Sequence, residues 1–301
     1  MKTLLIALFI GASCCSNLLF AQKNDKALTQ LLQNEINNFQ GDIGIYVEHF
    51  GKKSYAAIQA DSLFPTASIV KVPILVGVFN KINKGELKLN QGFTYDQKRN
   101  YGGSGLMQFY RDSAQTDLST MISLMLTYSD NITSIWCQEL AGGGLEINPL
   151  LEKLGLPQTK INSRTAGRED LWKVYGWGQT TPREMSTLMT LIRNGKIFSP
   201  QLSDKMYRYL KNQFYNGRSL SQIPAHISTA AKSGSVDDAR GETVFVNAPS
   251  GDYVFTILTK NIKDQSWSSD NEAENLTRRL SNILWNYFEP KQPFTPYSAI
   301  K

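Results

Sequence analysis

Three short motifs occur in order along this 301-residue chain: Ser68-Ile69-Val70-Lys71, Ser129-Asp130-Asn131 and Lys232-Ser233-Gly234. Together they hold the parts of a serine acyl-transfer site. A serine hydroxyl is a poor nucleophile until a base takes its proton, and a lysine amine acts as that base only when desolvation or a second cation lowers its pKa. Ser68 and Lys71, three residues apart, share one face of a helix, which brings the amine within reach of the hydroxyl. Lys232 would supply the second cation. Ser129 can relay a proton to a departing nitrogen, Asn131 can hold a substrate amide, and Lys232 with Ser233 can hold a substrate carboxylate. The backbone N–H groups of Ser68 and of Ser235, just past the third motif, are the expected donors to a developing oxyanion.

The weight lies in the set. At average composition about one Ser-x-x-Lys is expected by chance in such a length, and a second one, Ser298 to Lys301, falls in a proline-containing tail and reads as accidental. Ser-Asp-Asn and Lys-[Ser/Thr]-Gly are expected only about 0.05 and 0.2 times. Taken singly, Ser68 would read as a helix cap, Ser129-Asp130-Asn131 as a turn and Lys232 as a solvated strand end. A histidine mechanism has no footing, because neither His49 nor His226 stands beside a nucleophile motif. No His, Cys or acidic grouping has metal-ligand spacing, so no metal or cofactor is expected.

Elements must hold these motifs in place. Leu28, Leu31, Leu32, Ile36 and Phe39 recur at helical spacing, with Asn24 or Asp25 as cap and Gly41 as stop. Residues 43–50 and 55–58 read as a hairpin, and 68–84 as a long buried helix in which Pro73 is tolerated only near the first turn. From Asp117 to Leu140 the pattern is helical on both sides of the second motif, which therefore sits in a bend. Gly142-Gly143-Gly144 is a break, residues 150–154 a short helix, and 156–179 a long loop. Thr181, Pro182 and Glu184 form a capping box that opens a helix running to Gly195. Residues 228–233, 242–248 and 252–259 read as strands, so that the third motif ends a strand, and a last helix spans about 271–288.

The expected fold is α/β of the α+β type: an antiparallel sheet built from both chain ends, flanked by helices, with an all-helical lobe inserted. The lobes divide at about 22–66 with 213–290 and 67–212, leaving a cleft between them. Residues 289–301, with Pro290, Pro293 and Pro296, read as a flexible tail.

Lys2, the apolar run from Leu4 to Ile10 and Leu19-Phe20-Ala21 read as a secretory signal over residues 1–21, with 22–301 the mature single domain, periplasmic or secreted. Lipidation at Cys14 or Cys15 is the lesser reading, since Gly11 is a poor match three positions ahead. Without the signal, Cys137 is the only thiol, so no internal disulfide forms. A hydrophobic content of 41% with no second long apolar run describes a globular chain without a membrane span. A formal charge of +6 without a dense basic cluster gives no nucleic-acid face. A small-molecule substrate and a monomer are expected.

The motifs, with Gly103-Ser104-Gly105 ahead of the second and Thr180-Thr181-Pro182 after the long loop, resemble the class A β-lactamases and related penicillin-binding proteins over nearly all of the mature chain. The resemblance implies that Ser68 is acylated, Lys71 is its base partner, Ser129 the proton relay, Asn131 a substrate ligand, and Lys232-Ser233-Gly234 the carboxylate-binding strand. Tyr101 would flank the cleft mouth, and Arg240 is a further candidate for the carboxylate. The resemblance is weakest in the long loop, where the lactamases keep a glutamate that activates the deacylating water and an Arg–Asp pair that braces the loop. Glu169 is the candidate base, Trp172 stands where an asparagine would be sought, and Gly178-Gln179 lacks the bracing aspartate, leaving Arg164 and Arg168 without an obvious partner. The leading expectation is an exported serine β-lactamase. The alternatives are a penicillin-binding carboxypeptidase or transpeptidase with slow lactam deacylation, acting on peptidoglycan-like acyl-amides, and a non-catalytic lactam or muropeptide sensor.

Overall fold

The computed structural model describes residues 22–296. The expected signal segment, Cys14 and Cys15, and the last five residues of the tail lie outside them.

A six-stranded sheet carries the third motif at one edge. Its order is Lys23–Asn24, Ser54–Ile58, Asp42–His49, Tyr253–Lys260, Ala239–Val246 and Thr229–Val236. Neighbours are antiparallel except at the far edge, where Lys23–Asn24 runs parallel to Ser54–Tyr55. Side chains alternate across the pleat. Tyr253, Phe255 and Ile257 therefore join Val244 and Val246 in a core beneath the helices Lys26–Ile36 and Glu272–Phe288, while Val254, Leu258 and Phe245 face a second core under the inserted lobe. Asp25 caps the first of those helices by accepting the Leu28 N–H, and Asn271 caps the last by accepting those of Ala273 and Glu274.

The inserted lobe is built round the helix Lys71–Asn83, whose residues Lys71 to Phe79 are all buried. A helix apolar on every side has to be wrapped on every side. Leu118–Thr127, Asn131–Leu140, Gly143–Lys153 and Pro200–Leu210 do the wrapping. The lobe is not purely helical, for it also holds two small sheets, Phe64–Pro65 with Gly178–Thr180 and Lys160–Ile161, and Gly92–Thr94 with Gln115–Asp117.

Several elements depart from the expected ones. The glycine run does not hold off the next helix until residue 150, because only Gly142, at φ +87°, lies outside it and the helix starts at Gly143. Gly144 serves contact instead: a Cβ there would stand 2.1 Å from Thr165 Oγ1. The expected loop 156–179 contains the strand Lys160–Ile161, the seven-residue helix Glu169–Tyr175 and the strand Gly178–Thr180, pieces too short to show a period. The helix Pro200–Leu210 was not expected, although Ser199 caps it and Pro200 opens it. The third motif does not end its strand, which runs on to Val236 and turns through Asp237 and Asp238 into Ala239–Val246. Of the expected tail, Glu289 is buried and accepts the Ser250 N–H, and Phe294 donates to Asn286 Oδ1 and packs against the core, so residues 289–296 are docked. Buried His49 is structural: its Nδ1 accepts the Lys52 N–H and closes the hairpin turn.

Only half of the capping box forms. Thr181 Oγ1 accepts the Glu184 N–H at 3.1 Å, but the Glu184 carboxylate turns to the loop, taking the N–H groups of Gln158 and Thr159 and the Thr159 hydroxyl. This pins the strand pair that flanks the Ala67–Val70 turn, where the Thr66 N–H donates to Gly178 O. Glu184→Ala removes the acceptor shared by the Gln158 and Thr159 N–H groups and leaves buried Thr159 only its long bond to Leu156 O and its bond to Thr180 Oγ1, and is expected to cost about 1–3 kcal/mol. A lowered urea midpoint with an unchanged slope is the readout; an unchanged midpoint would show that the anchor contributes nothing.

Candidate active site

Three chain segments converge on Ser68. It lies in the tight turn Ala67–Val70 that leads into the central helix, with Ala67 at φ +43°. Ser129 lies in the bend between two helices, at φ +54°. Non-glycine residues in the left-handed region hold backbone strain, which persists only where the surroundings over-determine it. Here the surroundings are glycines. A Cβ on Gly234 would stand 2.6 Å from Thr66 O and 2.8 Å from Ser68 N, so the edge strand can lie directly on the turn at Ser68 only without a side chain there. A Cβ on Gly105 would stand 2.2 Å from Asp130 Oδ2. Asp130 caps the helix Asn131–Leu140 through the Thr133 N–H and with its other oxygen accepts the Met107 N–H at 2.7 Å, tying the 103–107 loop to the site.

Lys71, fully buried, places Nζ 3.1 Å from Ser68 Oγ, 2.9 Å from Ser129 Oγ, 2.5 Å from Ser129 O and 3.1 Å from Asn131 Oδ1. Lys232, also fully buried, donates to Ser129 Oγ at 3.1 Å and to Ser233 O at 2.9 Å. The motif residues expected to act together are therefore in one hydrogen-bonded set. Burial, and then the charge of Lys232, hold the Lys71 amine well below the ordinary lysine range against the opposing pull of Asp130. Burial brings Lys232 down to about 7, with Glu242 raising it and Arg218 lowering it. A neutral Lys71 has two N–H groups and one lone pair. Ser129 O and Asn131 Oδ1 can only accept, so they take the hydrogens and leave the lone pair for a serine hydroxyl, the arrangement a base requires.

Two cavities open on Ser68. The larger, about 680 Å³, is lined by Ser129, Ser233, Gly234, Arg218 and Trp267 among others, and the smaller, about 410 Å³, by Tyr101, Trp172, Tyr175 and Trp177. Asn131 and Ser235 line both. Tyr101 lines the smaller cavity beside Ser68. Arg218 was not foreseen. It comes from an aperiodic connection, donates to Ser235 Oγ at 2.5 Å and pairs with Glu274 at 2.5 Å. Arg240 lies on the sheet face opposite Lys232, buried beneath Trp267 and donating to the carbonyls of Asp237, Ala239 and Ser266, and it lines neither cavity.

Glu169 is not brought to the others. It is exposed, accepts the Gly167 N–H at 3.1 Å and lines neither cavity, because it occupies the first position of its short helix while residues 172–177 face Ser68. The brace the loop was expected to lack is present in neutral form: Arg168 donates to Asn162 Oδ1 at 2.8 Å and Gln179 Oε1 at 3.0 Å. Arg164 stacks on Tyr101. Among the described residues no group of three or more His, Cys, Asp or Glu side chains could hold a metal ion, and no helix is long and apolar enough to cross a membrane.

The fold and the site together define a hydrolase of the β-lactamase and penicillin-binding-protein superfamily. The profile of the Beta-lactamase enzyme family matches residues 26–288, and the chain belongs to that family. It is 21% identical to β-lactamase VEB-1 of Pseudomonas aeruginosa over 96% of this chain and 99% of the relative. It is 24% identical to an imipenem-hydrolysing β-lactamase of Enterobacter cloacae over 76% and 79%. Among solved structures, PBP-A superposes with a TM-score of 0.79 at 25% identity, covering 89% of this chain and 98% of that one. A β-lactamase from Chitinophaga pinensis gives 0.78 at 20%, covering 87% and 99%.

A base at Lys71 would need that amine neutral, with Lys232 charged beside it. Competence is gained as pH rises through the depressed Lys71 value and lost as Lys232 titrates at about 7. The second-order rate constant for acylation is therefore expected to be bell-shaped, its alkaline limb near neutrality. Lys232→Arg, whose guanidinium stays charged, should remove that limb. A native profile that climbs without a fall far into the alkaline range would contradict the assignment.

Proposed function

We propose that the protein is a serine hydrolase that β-lactams acylate at Ser68 and that releases the acyl group slowly, in the manner of a penicillin-binding peptidase, with peptidoglycan-like acyl-amides as its other substrate class. The observation that carries this reading is the pairing of a complete acylation set with a loop that turns no carboxylate toward Ser68. Ser68 Oγ attacks the lactam carbonyl carbon and gives its proton to Lys71. The C–N bond breaks as Ser129 Oγ, between the two lysine amines, passes a proton to the leaving nitrogen. The N–H groups of Ser68 and Ser235 receive the developing oxyanion, and Lys232, Ser233 and Arg218 receive the substrate carboxylate. The resulting ester needs an activated water to leave. Glu169 is exposed and bonded back to its own loop, and aromatic rings occupy the wall from which a base would act. A mutant of PBP-A has been solved as an acyl-enzyme complex with penicillin-G, which supports a lasting ester in this architecture.

The curated relatives are β-lactamases, which favours the second reading, an exported β-lactamase with efficient turnover. Intact-mass measurement after addition of benzylpenicillin separates the two. The proposal expects a stoichiometric adduct that persists for minutes or longer, absent in Ser68→Ala, and a burst followed by slow turnover of a chromogenic cephalosporin. Rapid return to the free mass would establish the efficient lactamase, and the absence of both adduct and turnover would leave the sensor. Lys71→Met is expected to slow adduct formation by about 10²–10⁴-fold.

A further inference from the structure

One edge strand carries both Lys232 and the backbone donor expected for the oxyanion, and a side chain holds its outer side. Thr229–Val236 is the last strand of the sheet, so every second N–H along it has no neighbouring strand to meet. The Ser233 N–H is one of these and donates to Gln213 Oε1 at 2.6 Å. The pattern repeats every two residues, so the Ser235 N–H points outward as well, and Ser235 lines both cavities with Ser68. Gln213 is held in turn. Its Nε2 donates to Glu242 Oε1 at 3.0 Å and to Tyr215 O at 2.9 Å, and the other oxygen of Glu242 accepts the Ser219 N–H at 2.9 Å. Glu242 is fully buried and stands opposite Ser233 in the neighbouring strand. A buried carboxylate is costly unless its charge is answered. Both of its oxygens are taken by neutral N–H donors, so the answer comes at longer range: Glu242 favours the ammonium form of Lys232, against burial and against Arg218. Lys71, which shares Ser129 Oγ with Lys232, adds a like charge when protonated, and Asp130 acts on Lys71. Glu242 is thus the anion that bears on Lys232.

We propose that Gln213 and Glu242 are a buried relay of two positioning residues: Gln213 holds the edge strand so that the Ser235 N–H is presented to the substrate carbonyl oxygen, and Glu242 keeps Lys232 charged while Lys71 is neutral. The inference rests on acylation of Ser68 as proposed above. The test is the second-order rate of benzylpenicillin adduct formation at Ser68 as a function of pH, read by intact mass. In Glu242→Gln the alkaline limb is expected to move down by about one pH unit or more, because the charge that favours the ammonium form is gone. Glu242→Asp keeps that charge and should hold the limb at its native position even where the rate falls. A structural loss alone would lower the rate alike at every pH and move neither limb. Glu242→Met, apolar and of similar length, is the second uncharged variant, and melting temperatures show which variants are folded. Gln213→Met leaves Glu242 in place, and should lower the rate about tenfold or more at all pH with the limb where it was. A limb that stays put in folded Glu242→Gln or Glu242→Met, or a Gln213→Met rate within about twofold of native, overturns the relay while acylation stands. A native protein that forms no adduct overturns acylation itself, and the relay with it.

Discussion

Two lysine amines, both withdrawn from water, meet at the hydroxyl of Ser129, and the rest of the site is arranged to make that meeting tolerable. Burying one ammonium is expensive and burying two like charges side by side is worse, so the pair is driven toward sharing a single positive charge. Two of the four oxygens around Lys71, Ser129 O and Asn131 Oδ1, can only accept, and the Ser233 carbonyl serves Lys232. Carboxylates are kept one step away: Asp130 is occupied with the backbone at Thr133 and Met107, and Glu242 with Gln213 and the Ser219 N–H. A carboxylate in direct contact would hold either amine in its charged form, without a lone pair.

This arrangement can exist only where backbones approach more closely than side chains allow. Gly234 lets the edge strand touch the turn at Ser68, and Gly105 lets its loop fold onto Asp130. Ala67 and Ser129, both left-handed, are the residues bent by that convergence. The sheet and the wrapped central helix are the stiff bodies between which the bend is held, so strain and close approach occupy the same few residues.

What the sequence made legible was whatever is local or rare. Ser129, Asn131 and Lys232 were readable because their motifs are infrequent, Ser68 and Lys71 because their common motif stands in order with the two rare ones, and the caps at Asn24 or Asp25 and at Thr181 because a cap is a one-residue signal followed by a period. The helix Glu169–Tyr175 was not, since seven residues are too few to display a period, and with it went the direction in which Glu169 points. Arg218 was invisible because it reaches Ser235 across tertiary space from a stretch with no regular structure. Arg240 looked plausible along the chain, but the pleat decides which face it occupies, and that depends on a register set by Ala239–Val246 against both neighbours. The neutral partners of Arg168 could not be sought, because a search for a carboxylate passes over amides.

That neutral brace has a consequence for chemistry elsewhere in the molecule. Amide oxygens do not titrate, and a guanidinium keeps its proton throughout the working range. The clasp Arg168–Asn162–Gln179 is therefore blind to acidity, where a carboxylate clasp would open as its acid form took over. The stretch that carries the rings beside Ser68 is thus held by a clasp that no change of protonation at Lys71 or Lys232 opens.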